Sequence, residues 1–275
     1  MEIDYRLDGP EQAPLLVLAN SLGTTYTMWQ PQMAALTAHF RVLRYNQRGH
    51  GSTPLPAEPL TLAQLGEDVI TLLNTVGVEQ AYFCGISMGG LTGLWLNRYA
   101  PSRFHAFVVA NTAARIGSRE GWLERAATVR SAGLNPVADA SPARWFNEGF
   151  IRRCPEQVTA LTTALAAADA EGYAACCEAL AEADLRNALH AMPRPMRVLA
   201  GQDDPVTTVQ DAGEIIRHAP DAGLHILPAS HLSNIEGPDA FTTQLLHFLH
   251  RQHFLHRQHF LHRQGTADEH SDRTH

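Results

Sequence analysis

The chain of 275 residues has no run of 18 apolar residues, no basic stretch leading into an apolar one near its start, and no Cys-x-x-Cys pair. The first two absences argue against a membrane-spanning helix and a secretion signal, so the expectation is a soluble, cytoplasmic protein. Cysteine is scarce. Cys84, Cys154, Cys176 and Cys177 are the four, and without zinc-finger spacing or a secretory context they read as reduced, mostly buried thiols. Positive charge is also short: 21 basic residues face 28 acidic ones, for a formal net charge of -7. That balance carries no footprint of a nucleic-acid binder or of a protein held on an anionic membrane, and leaves small molecules as the expected partners.

What is present is enough to fill one large core, since 45% of the residues are hydrophobic. Short apolar runs rich in β-branched residues recur at Leu15 to Ala19, Val42 to Tyr45, Tyr82 to Ile86, Phe107 to Ala110, Val198 to Ala200 and Leu224 to Leu227. Helical spacing fills the gaps, as in Thr61 to Val76 and Leu91 to Tyr99, the latter stopping before Pro101. The alternation predicts an α/β fold with a mostly parallel sheet flanked by helices. A Glu2 to Leu7 segment alternates like an edge strand.

From about Ala113 to Met192 the strand signal disappears and the chain is Ala-rich and helical in pattern, until Pro193 and Pro195 precede its return. The organisation predicted is a core of residues 1–112 and 193–252 with a helical cap, 113–192, inserted between strands. Trp122, Arg144, Trp145 and Phe146 are the cap side chains placed to line a pocket; cap-helix packing is the plainer reading of each aromatic.

Residues 253–275 read as a flexible tail. His-Phe-Leu-His-Arg-Gln occurs three times in succession from His247 to Gln264. Six residues advance a helix by about 600°, so Phe248, Phe254 and Phe260 would point three ways and cannot share a buried face. The first copy is expected to complete the last helix, and the later two read as a tandem duplication. The six histidines could chelate a transition metal fortuitously, but no functional metal site is assigned.

The strongest chemical signal is Gly85-Ile86-Ser87-Met88-Gly89-Gly90, between a strand and a helical pattern. Gly-x-Ser-x-Gly in that context is a nucleophile elbow: the backbone turns so sharply that small residues must flank Ser87, whose Oγ is left exposed. The helix start beneath it supplies backbone donors for an oxyanion, Met88 N–H first among them. A second donor is expected after the Leu15 to Ala19 strand, in Asn20-Ser21-Leu22-Gly23, from Leu22 N–H or, as the alternative, Ser21 N–H.

A serine needs a base to take its proton, and the base needs a partner to fix its tautomer. Gly201-Gln202-Asp203-Asp204-Pro205-Val206 follows one late strand and Ala229-Ser230-His231-Leu232 the next, giving the chain order serine, acid, histidine. His231 is chosen by position among 15 histidines; Asp203 and Asp204 both remain open on spacing alone. In Gln47-Arg48-Gly49-His50-Gly51-Ser52, the glycines permit a tight loop and Arg48 can pair nearby, while His50 is a second base or, preferably, a structural residue.

These motifs are those of the α/β-hydrolase fold, and the sequence resembles, within it, the 3-oxoadipate enol-lactonases. The likeness runs over about Ile3 to Leu249. It is carried by Tyr5-Arg6-Leu7-Asp8-Gly9-Pro10, by Leu18-Ala19-Asn20-Ser21-Leu22-Gly23-Thr24 with Met28-Trp29, by Cys84 to Gly90, and by Asp204-Pro205-Val206-Thr207. The resemblance implies a catalytic set of Ser87, His231 and Asp204, the acid standing just before proline. Leu22 and Met88 are the implied oxyanion donors. It also implies opening of 3-oxoadipate enol-lactone to 3-oxoadipate in bacterial aromatic catabolism, with no metal or organic cofactor. The lactone bears a carboxylate, for which Arg144 beside Trp145 is the candidate clamp. Relatives often carry aspartate just before the Gln47 motif; Asn46 stands there, which weakens an Asp-Arg pair at that point. Other cap-bearing esterases, carbon-carbon hydrolases and perhydrolases share the motifs, and some non-catalytic receptors keep the fold. A haloalkane dehalogenase would need a carboxylate at position 87.

Overall fold

The computed structural model describes residues 2–271, with side chains described through His256 and at Gln258. Seven strands form one sheet: β1 Tyr5–Asp8, β2 Leu15–Ala19, β3 Arg41–Tyr45, β4 Ala81–Ile86, β5 Phe104–Ala110, β6 Met196–Gly201 and β7 Ala222–Leu227. Their order is β1-β3-β2-β4-β5-β6-β7, and only β1, on the edge, runs antiparallel to its neighbour. The central strands β2 and β4 are buried along their whole length, as unbroken apolar runs covered on both faces require.

The α-helices, in chain order, are α1 Gln30–Leu36, α2 Leu62–Thr75, α3 Met88–Tyr99, α4 Arg119–Ala132, α5 Asn135–Trp145, α6 Glu148–Arg153, α7 Pro155–Ala166, α8 Ala170–Glu182, α9 Val209–His218, α10 Ser233–Glu236 and α11 Pro238–Ser271. Helix α2 begins where the sequence signals it: Thr61 caps the Gln64 N–H and Gln64 returns a bond to the Thr61 N–H. Helix α3 starts three residues earlier than the apolar spacing suggests, because Ser87 itself forms the turn out of β4. Between β5 and β6 the chain forms α4 to α8, and α4 packs along α8.

One close approach of these helices to the rest of the chain is made by α8. Gly172 on α8 lies against Gly49, whose φ is +72°; a Cβ on Gly172 would run into the Gly49 carbonyl oxygen. The Asn46–Thr53 loop and α8 approach backbone to backbone because neither carries a side chain there.

Helix α11 continues past the first repeat through the later copies to Ser271, beyond the point where the sequence placed a tail. Phe248 is buried while Phe254 is 61% exposed, so the first two phenylalanines of the repeat face different surroundings; the Phe260 side chain lies outside the described residues. Histidines of the repeat make contacts as well. His250 meets His39 at 4.7 Å between ring centroids, His253 approaches the Tyr82 hydroxyl at 3.3 Å, and His256 meets His105 at 4.3 Å. Among the described residues, no helix is long and apolar enough to cross a membrane.

Candidate active site

Loops leaving the carboxyl ends of β2, β3, β4, β5, β6 and β7 converge above the sheet, where a parallel sheet gathers its functional loops. Ser87 sits at the tip of the β4–α3 turn with φ 56° and ψ −115°, a left-handed conformation that a side-chain-bearing residue adopts only under constraint. The constraint is visible on either side. A Cβ at Gly85 would strike the Gly89 carbonyl, and one at Gly89 would strike the Ala19 carbonyl, so the turn closes only with glycine at both positions.

Ser87 Oγ lies 3.0 Å from His231 Nε2, and His231 Nδ1 lies 2.8 Å and 3.0 Å from the two oxygens of Asp204. All three residues are buried. Asp204 accepts the Val206 N–H at 2.8 Å, the Thr207 N–H at 3.0 Å, the Thr207 hydroxyl at 2.9 Å and the Asn111 side-chain amide at 3.0 Å. Burial opposes the charge on Asp204, yet the bonds from His231, Thr207 and Asn111 outweigh it and hold the carboxyl below its usual range. An ionised Asp204 can only accept, so His231 carries its proton on Nδ1 and presents a bare Nε2 to the Ser87 hydroxyl. That arrangement can draw the hydroxyl proton to the imidazole while the carboxylate supports the imidazolium. Asp203, the other acid left open by spacing, is exposed and turned away, its carbonyl taking the Ser230 hydroxyl.

Two backbone donors stand beside this group, each between anchored neighbours. Ser87 N–H goes to the Ala110 carbonyl and Gly89 N–H to the Asn20 carbonyl, leaving Met88 N–H without an acceptor among the described residues. In the facing loop, Ser21 N–H goes to Met28 Sδ at 3.5 Å and Gly23 N–H to His50 Nε2 at 3.0 Å, leaving Leu22 N–H in the same position. Of the two donors open in the sequence, Ser21 is therefore occupied and Leu22 available. Asn20 ties the loop down with a bond to the Tyr45 carbonyl at 2.7 Å and one from Trp29 Nε1 at 2.9 Å.

His50 is a framework residue. Its Nδ1 donates to the Arg48 carbonyl at 3.2 Å while its Nε2 accepts from Gly23, and burial pushes the imidazole down to about 4. Arg48 does find a carboxylate, though not before the motif: Asp68 on α2 binds it through two bonds of 2.7 Å and 2.8 Å. Asn46 instead donates to Asp4 at 2.7 Å and accepts the Tyr26 N–H at 2.8 Å.

The pocket over Ser87 is lined by Ser21, Leu22 and His231 from the core and by Trp122, Arg125, Ser141, Arg144, Trp145 and Tyr173 from the insertion. It is narrow, about 30 Å³. Trp122, Arg144 and Trp145, named from the sequence, are among these lining residues. Phe146 does not line it; its ring packs on Phe150 at 4.6 Å. Sequence reasoning missed Arg125 and Tyr173, and also Asn111, whose side chain joins Asp204 to the Ser230 carbonyl at 2.9 Å.

The alpha/beta hydrolase fold model matches residues 14–238. The chain belongs to this family. Within the alpha/beta hydrolases it is similar to 3-oxoadipate enol-lactonase 2 of Acinetobacter baylyi, with 48% identity over 239 residues that cover 87% of this chain and 90% of that one. 3-Oxoadipate enol-lactonase 1 of the same organism is 44% identical over the same shares. Among solved structures, the enol-lactonase from Burkholderia xenovorans LB400 superposes with a TM-score of 0.88 at 43% identity, covering 90% of this chain and 96% of that chain.

Proposed function

We propose that this hydrolase opens 3-oxoadipate enol-lactone to 3-oxoadipate through an acyl-enzyme on Ser87, as a step of bacterial aromatic catabolism in the cytoplasm. The observation that carries the chemistry is the 3.0 Å approach of His231 Nε2 to Ser87 Oγ with Asp204 behind it. The substrate rests on the likeness to the enol-lactonases, which covers nine-tenths of those relatives' length.

In this reading His231 takes the Ser87 proton as Oγ attacks the lactone carbonyl, and Leu22 and Met88 N–H groups hold the oxyanion. Each such donor is worth roughly 2.7–4 kcal/mol in the transition state. Collapse breaks the ring bond and leaves an acyl-enzyme whose enol end takes the proton from His231 and rearranges to the ketone. That rearrangement draws the ring opening forward. Water, deprotonated by His231, then releases the new carboxylate from Ser87. The other carboxylate of the substrate is held by Arg144 beside Trp145. Every step uses side chains and backbone amides, so no metal or organic cofactor is called for.

The test is hydrolysis of enzymatically generated 3-oxoadipate enol-lactone by the wild type and Ser87→Ala, with p-nitrophenyl acetate alongside. Lactone opening that the variant loses is the expected result. Turnover of the aryl ester with the lactone untouched would keep the Ser87 chemistry and discard the substrate.

A further inference from the structure

Helices α4 and α5 each turn an apolar stripe inward, and each stripe is broken by one arginine. On α4 the buried positions are Trp122, Ala126 and Val129, and Arg125 shares their face. On α5 they are Val137, Ala138, Ser141 and Trp145, and Arg144 follows at the same helical spacing. Both arginines are half-buried. Both also line three adjoining spaces: the narrow pocket over Ser87 and two outer chambers of about 290 Å³ and 310 Å³. Both guanidiniums therefore border the pocket over Ser87 and both outer spaces.

Neither forms an ion pair among the described residues, although Tyr173 interacts with Arg125 and the more distant Asp204 charge is felt by Arg144. Arg119, Arg130, Arg152 and Arg186 of the same insertion pair with carboxylates on the surface. Among the described residues no carboxylate lies within 4.0 Å of Arg125 or Arg144. Arg125 rests on the Trp122 ring, 5.1 Å from its centroid. Cys177 faces the pair, but burial pushes its thiol up to about 12, so it supplies no negative charge near neutrality. Two like charges held together in partly desolvated surroundings repel, and an anion placed between them removes that cost and gains two charge-assisted contacts. The sequence contains no lysine, so guanidinium is the only permanently cationic side chain available for this work.

We infer that Arg125 joins Arg144 in one carboxylate-binding site, making Arg125 a specificity-determining residue that selects esters and lactones bearing a free carboxylate. The inference rests on the lactone-hydrolase reading only for the identity of the natural substrate; the preference for a carboxylate is its own claim. Trp122, beneath Arg125 and lining both the inner pocket and one chamber, fixes where the guanidinium points.

The test compares mono-p-nitrophenyl glutarate with p-nitrophenyl butyrate, aryl esters that differ chiefly in a terminal carboxylate, on wild type, Arg125→Gln and Arg125→Lys. Wild type is expected to favour the carboxylated ester in kcat/KM. Arg125→Gln should cut that preference at least tenfold, mainly through KM, and Arg125→Lys should restore part of it. Both esters report on the same folded population, so any loss of folded protein cancels in the ratio. A preference that survives Arg125→Gln would overturn the inference. The two readings separate cleanly: an Arg125-dependent preference in an enzyme that leaves the enol-lactone intact keeps the carboxylate site and removes the lactone, whereas lactone opening with a KM indifferent to Arg125→Gln does the reverse.

Discussion

His50 accepts the Gly23 N–H at 3.0 Å, so a histidine that could be mistaken for a second base anchors the loop that leaves Leu22 N–H free. Removing it should loosen an oxyanion donor without touching the nucleophile. His50→Ala is expected to lower kcat by roughly tenfold to a hundredfold, short of the 10²–10³ that follows loss of a donor outright. Steady-state kinetics on the lactone would check this, and an unaltered kcat would mean that the Gly23 bond does not hold Leu22.

The same burial gives the protein an acid sensitivity with a defined window. His50 is held down to about 4, against an ordinary 6.5. His105 is likewise pushed down to about 4, by burial first and then by His256, Arg194 and His253. Between 6.5 and 4 the unfolded chain binds protons that the folded chain refuses, so stability is full above the window and falls as pH drops through it. For His50 the full effect is on the order of 3 kcal/mol, at about 1.4 kcal/mol per pH unit. Melting temperatures of wild type and His50→Gln between pH 7 and 4 should converge towards the acid end. Parallel curves would remove His50 as a source of the acid loss.

Much of this site can be read in the chain because its chemistry is local. Gly85, Ser87 and Gly89 fall at alternate positions within five residues, and the strand before and the helix after define the elbow. What stayed hidden depends on contacts between distant segments. Asn111 bridges Asp204 and Ser230 across β5, β6 and β7, and nothing near position 111 marks it beyond a strand end. Asp68 answers Arg48 from a helix 20 residues on, where it looks like one more polar residue in the amphipathic run. Arg125 does carry a signal in the sequence: it falls on the apolar face of its helix, where a buried charge is costly. Asp204 is enclosed and Asp203 exposed, a distinction that two adjacent aspartates do not display as letters.

That distinction is directly testable. Asp204→Asn should lower kcat by about 10³–10⁴, since an amide cannot stabilise the imidazolium and favours the wrong tautomer of His231. Asp203→Asn should fall within about twofold of wild type. A large loss from the second and a small one from the first would reverse the assignment.

Arg48 and Asp68 are both largely shielded from water, with side-chain exposures of 14% and 8%. Breaking a shielded pair from one side leaves the other charge uncompensated, so Asp68→Ala is expected to cost about 3–5 kcal/mol. The loss should appear in denaturant midpoints of Asp68→Ala, and a double variant with Arg48→Met should recover part of it by removing the orphaned cation. If Asp68→Ala leaves the midpoint unchanged, the pair contributes no net stability.

Glu236 joins the insertion to the histidine loop: its carboxylate accepts the Ser230 N–H at 2.8 Å and the Asn147 N–H at 3.3 Å, at the start of α6. Next to it, Leu232 N–H reaches the Trp145 carbonyl at 3.0 Å, so both residues flanking His231 are tied to groups outside their own loop. Burial raises the Glu236 carboxyl above its usual range, which shows that enclosure outweighs the two amides donating to it. Glu236→Gln keeps one acceptor oxygen but loses the charge, and Glu236→Ala loses both bonds. A graded fall in kcat, modest for Gln and about tenfold or more for Ala, is expected if the carboxylate sets the position of His231 through Ser230. Equal activity in wild type and Glu236→Ala would leave the Leu232–Trp145 bond as the one that matters.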